Sequence, residues 1–127
     1  MKNTAITKTA HNAAELAYSL ERAIDTNIES EDRVPWIVIH GMTEGLKHFA
    51  RVLYDRKAKA LTYDDREALC SVSVKMLDIN MSCMSDHEEY NLEVARKWAT
   101  MAWTVFFNIS RGDHVKTDYI DNVYRVV

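Results

Sequence analysis

At 127 residues, with 16 Lys+Arg against 19 Asp+Glu, the chain carries a formal charge of −3, so no global field draws it to DNA, RNA or an anionic membrane. Three Gly and one Pro are too few turn formers for a sheet protein. The even composition specifies one domain, 1–127, which buries roughly two thirds of the surface its unfolded form exposes. The fold that fits is all-α: a compact bundle of four main helices plus a short C-terminal helix.

Residues 1–9 are polar and small, and are expected to be loose. The opening MKNTAITKTAHNAAEL has no continuous apolar segment, which reads as no secretory signal. From His11 to about Ile28, Ala13, Leu16, Ala17, Leu20, Ala23, Ile24 and Ile28 hold a helical period, giving a one-sided amphipathic helix. An acidic link, Glu29 to Asp32, leads to Pro35, which suits the first turn of a second helix because its missing N–H would be unpaired there. That helix, about Pro35 to Lys57, places Val38, Ile39, Met42, Leu46, Phe49, Ala50 and Leu53 on one side. Gly41 and Gly45 lie at its edge, where the commoner meaning of two small residues is close packing against another backbone. Lys47, Arg51, Arg56, Lys57 and Lys59 gather toward its C-terminal end, where positive charge complements the helix dipole.

The third helix, about 62–84, is expected to be central. Leu69, Val72, Met76, Ile79 and Cys83 form one apolar stripe, and Cys70, Val74, Leu77, Met81 and Met84 form another. Asp64, Glu67, Ser71, Lys75, Asp78 and Ser82 make the thin polar ridge between them, so neighbours should cover both flanks. Thr62 with Asp65 resembles a capping box, and Ser85 with Glu88 repeats the device at the start of a fourth helix. A continuous kinked helix through Ser85 is the alternative. Cys70 and Cys83 lie about 20 Å apart on one helix, beyond disulfide reach, and are expected to be buried, reduced thiols. Unpaired thiols fit a cytoplasmic setting.

The fourth helix, about Asp86 to Ile109, puts Val94, Ala95, Trp98, Met101, Ala102, Val105 and Ile109 toward the core, with Gly112 as its C-cap. Its longest uncharged run, Trp98 to Ser110, is short of the ~20 residues of a membrane span. Asp118 is expected to cap a short final helix in which Tyr119, Ile120, Val123, Tyr124 and Val127 would make an apolar face, to dock on the bundle or on a partner.

Chemistry is thinly marked. His40, Glu44 and His48 share one sector of the second helix and are metal-ligand types, so a site would join one of the histidines with Glu44 and be completed by groups such as His87 or Glu88. The two histidines stand about 12 Å apart along the axis, too far to close on one ion. A solvated polar face is the plainer reading. The carboxylates from Asp86 to Glu93 resemble those of helical metal enzymes, but they also suit a helix N-terminus, and no Glu-x-x-His is present. No nucleophile turn, phosphate loop or cofactor motif appears.

Surface aromatics carry the functional reading. On the fourth helix Trp103 and Phe107 fall opposite the core stripe, near Leu92 and Arg96, and apolar side chains there span roughly 240°, well beyond the ~100° a bundle helix needs. Trp36 and Tyr54 likewise fall on the polar side of the second helix. These residues point to protein binding: a non-catalytic interaction module of inhibitor, immunity or adaptor type, such as a phage or mobile element encodes, working as a homodimer. The alternative is a metal-dependent helical enzyme such as a nucleotide hydrolase.

Overall fold

The structure is a computed structural model that describes residues 4–30, 34–56, 60–84 and 92–115, with the side chains of Thr4, Cys83 and Met84 outside the description. Four helices, α1 (Thr4–Glu29), α2 (Trp36–Asp55), α3 (Tyr63–Met84) and α4 (Leu92–Ser110), form an all-α bundle. They pack as a ring. The α1/α4 and α2/α3 sides are the most extensive, α1/α2 is intermediate and α3/α4 is the thinnest.

Cross-helix pairs set the directions. Asp25 meets Arg96, Glu21 meets Thr100 and Tyr18 meets Trp103, so α1 and α4 are antiparallel. Glu44 meets Asn80 and Tyr54 meets Arg66, so α2 and α3 are antiparallel too. Leu16 lies against Gly45 and Asn27 against Val34, which reverses α2 on α1. The course is therefore up-down-up-down. The final helix from Asp118, the Ser85/Glu88 cap and the continuous helix through Ser85 all fall outside the described residues.

Helix α1 begins at Thr4, not His11, so the expected looseness up to residue 9 does not hold from Thr4 onward. Ile6 and Ala10 extend the stripe of Ala13, Ala17, Leu20 and Ile24, and all six are buried. The polar residues between them obscure this period in the sequence. Small side chains on α1 let α4 approach closely, and α4 answers with Met101, Val105 and Phe106, each fully buried.

Helix α2 starts after Pro35, whose carbonyl accepts the Val38 N–H at 3.0 Å. The buried Asn27 side chain clamps the approach by accepting the Val34 N–H and donating to the Val34 carbonyl. The two glycines differ. A Cβ on Gly45 would come within 2.8 Å of Leu16 Cδ2, so close packing applies there, whereas nothing lies within 4 Å at Gly41. Gly41→Ala is therefore expected to stabilise the protein by about 0.5–1 kcal/mol, a gain in helix propensity without a clash, read as a higher urea midpoint at unchanged slope.

Helix α3 opens on the reciprocal box the spacing implies. Thr62 N–H donates to Asp65 Oδ2 at 2.9 Å, and Asp65 N–H donates to Thr62 Oγ1 at 3.1 Å. It is a corner of the ring and not its centre. Leu69, Val72, Met76 and Ile79 are buried, but Cys70 is exposed, and Val74, Leu77 and Met81 are 50%, 43% and 63% exposed. Burial of both thiols fails at Cys70. Part of the polar ridge turns inward instead: Ser71 and Lys75 are buried, and Lys75 Nζ lies 4.7 Å from the centre of the Trp98 ring. The apolar residues of α3 spread almost evenly around it, so the pattern has little direction of its own. Neighbour packing chose the face, and a cation on an aromatic ring made the thin α3/α4 side tolerable for a lysine.

Helix α4 ends in a Schellman motif. Asp113 N–H donates to the Asn108 carbonyl at 2.9 Å and Gly112 N–H to that of Ile109 at 3.1 Å, with Gly112 at φ 78°, a conformation that favours glycine. The chain then crosses the foot of the bundle. Val115 is buried, and its N–H donates to Asp65 Oδ1 at 2.9 Å, while His114 Nδ1 lies 2.9 Å from Asp65 Oδ2. One buried carboxylate thus holds both the start of α3 and the segment leaving α4.

Candidate interaction surface

Nine large hydrophobic side chains are exposed among the described residues, and eight of them lie on α2 or α3, none on α4. On α3, Cys70, Val74, Leu77 and Met81 follow one another at spacings of four, three and four. That is the a/d rhythm of a coiled-coil seam, presented outward. On α2, Trp36 is 56% and Tyr54 41% exposed, as their place on the polar side implied, and Ile37 and Val38 join Trp36 in the first turn. Between the two helices runs a groove of about 370 Å³ whose walls include Arg51 and Tyr54 on one side and Leu69, Cys70 and Val74 on the other. Arg66 lies 5.9 Å from the Tyr54 ring centre.

The expected α4 surface is assembled, but largely as a seal. Trp103 and Phe107 are half-buried against the core, their rings stacked at 5.1 Å and 13°. Tyr18 covers one side at 6.4 Å, and the Arg111 guanidinium lies 5.3 Å above Phe107. Leu92 packs on the core, and Arg96 reaches Asp25 at 3.4 Å and Glu93 at 2.8 Å across the same seam. The bulk on α1 that would cover these rings is supplied by Tyr18, whose role on the polar side of its helix the periodicity does not reveal.

His40, Glu44 and His48 do share the outer side of α2. The Glu44 carboxylate accepts from Asn80 Nδ2 across the α2/α3 seam and from Lys47 Nζ at 3.2 Å. The His40 ring meets the edge of Trp36 and the His48 ring tilts on Phe49. Among the described residues no three His, Cys, Asp or Glu side chains come together at metal-binding distance, and His87 and Glu88 lie outside the description. Calorimetric titration with Zn²⁺ is expected to show no stoichiometric sub-micromolar site. A tight site lost in His40→Ala or Glu44→Ala would contradict this.

Cys70 sits in the groove wall, where burial, and then the charge of Glu67, push its thiol above the usual value. No described helix is long and apolar enough to cross a membrane. Comparison with family models, curated proteins and solved structures returns no match for this chain.

Proposed function

We propose that the chain is a non-catalytic helical protein-interaction module, of inhibitor, immunity or adaptor type, that self-associates through the outer face of α2 and α3. The observation that supports this reading is the row of Val74, Leu77 and Met81, apolar side chains at coiled-coil spacing that stand exposed among the described residues. A second copy is the simplest partner for such a row. A two-fold axis between Leu77 and Met81 sets each against the other's equivalent. Given the register in which Glu44 meets Asn80, the same axis brings Glu44 beside the partner's Lys47. An exposed, unpaired Cys70 suits a reducing cytoplasm. Metal-dependent hydrolysis has less behind it, because Glu44 is already engaged by Asn80 and Lys47.

Light scattering after size exclusion tests the proposal across a concentration series. The expected result is a dimer that Leu77→Asp with Met81→Asp converts to monomer, while Trp103→Ala with Phe107→Ala leaves it associated. A wild-type monomer at every concentration would remove self-association. Dissociation in the Trp103 and Phe107 variant alone would move the interface to the α4 face.

A further inference from the structure

We propose that Trp36 of each copy seats in the α2/α3 groove of a second copy, against Tyr54 and Val74, and so anchors the dimer at two symmetric points. This rests on the self-association proposed above and names the contact that fixes its register. Trp36 and Tyr54 are both exposed, and 18 residues, five full helical turns, separate them on α2. They therefore point the same way, about 27 Å apart along the axis. Tyr54 lines the groove, so Trp36 is turned toward the same α3 side of its helix. Its ring meets the edge of His40 on the next turn and otherwise stands largely in solvent.

Register makes the match. The pairing of Glu44 with Asn80, and of Tyr54 with Cys70 across the groove, puts Gly45 level with the point between Leu77 and Met81. Gly45 is also midway between Trp36 and Tyr54. A two-fold axis at that level, lying in the contact plane and crossing the helices, carries Trp36 of one copy to the partner's Tyr54. The same axis sets Glu44 beside the partner's Lys47, so opposite charges meet at its centre. The groove suits the ring it would receive. Its floor is apolar at Leu69 and Val74, while Arg51 and Asp55 give its rim one charge of each sign, which favours no ionic occupant. An indole fits such walls: Tyr54 offers a face to stack on, Arg51 a cation for the ring, and Asp55 an acceptor for the N–H. The volume of about 370 Å³ leaves room for it.

The test uses the full chain. Light scattering across a concentration series is expected to show Trp36→Ala weakening the dimer about 30-fold, with helix content by circular dichroism unchanged because the side chain is exposed in the monomer. In a second arm two variants, Trp36→Cys and Tyr54→Cys, are each made in a Cys70→Ser background and then mixed. Mild oxidation is expected to join positions 36 and 54 between chains in the mixture, as located by peptide mass mapping. Neither variant alone should cross-link at its new thiol, since the axis holds like positions about 27 Å apart. A dimer that Leu77→Asp with Met81→Asp dissociates, but that Trp36→Ala leaves at full strength or that yields no 36–54 disulfide, would overturn this contact and leave self-association standing. The groove would then take another occupant. A wild-type monomer at every concentration would remove self-association and this contact with it.

Discussion

Asp65→Ala is expected to lower stability by about 3 kcal/mol or more, the largest loss for any single polar residue here, seen as a fall of roughly 10–15 °C in Tm for a chain of this length. The Asp65 carboxylate is 1% exposed and serves three groups: Thr62 N–H, Val115 N–H and His114 Nδ1. Alanine removes the acceptor and leaves two backbone donors with nothing to replace it, so each suffers its desolvation cost. Two neighbouring substitutions should fall well short of this. Thr62→Ala removes only the reciprocal half of the box and should cost about 1 kcal/mol. His114→Ala touches a half-exposed ring and should cost less still, since an exposed pair contributes about 0–1 kcal/mol. Urea titrations of the three variants give the order directly. Equal losses for Asp65 and His114 would mean that the contact with Val115 contributes little.

Leu77→Asp with Met81→Asp is expected to weaken self-association at least about 100-fold, because each side chain at the centre of a seam contributes about 2 kcal/mol and a carboxylate there would lose water without a partner. The same double change should alter monomer stability by no more than about 1 kcal/mol, since both side chains already stand largely in solvent. That split between association and stability separates an interface from a core. Had these residues been core, as two-sided burial of α3 implied, the double variant would lose several kcal/mol and fail to fold.

The helices themselves were legible because apolar period, caps and the scarcity of Gly and Pro all agree. Thr62/Asp65 and Gly112 act at the positions their spacing assigns. The facing of a helix was legible only where its pattern is lopsided. α1 and α2 bury or half-bury the stripes their sequences show, except Val38, which the first turn of α2 leaves 40% exposed, while α3, apolar on two sides, gave no basis for choosing between Met76 and Met81, and the structure buries the first and exposes the second. On α4 the width of the apolar arc is plain in the sequence but its partial cover is not, because Tyr18 and Arg111 reach Trp103 and Phe107 from positions that a periodic count scores as polar. The clasp on Asp65 joins residues fifty apart and leaves no local signal at all.

The uneven sides of the ring carry a consequence for how the chain assembles. α2 and α3 form a broad contact between neighbours in sequence, which closes at the small entropic cost of one short connection. The still broader α1/α4 contact joins helices at opposite ends of the described chain, so its pairs, such as Asp25 with Arg96, are non-local and slow to find. The α2–α3 hairpin is therefore the natural nucleus, present before α1 and α4 close over it. During that interval the row on its outer face is already formed while the residues that bury its inner face are not. An early hairpin with apolar stripes on both sides is the species most exposed to wrong partners, and the late embrace of α1 and α4 is what withdraws one of those two sides from competition.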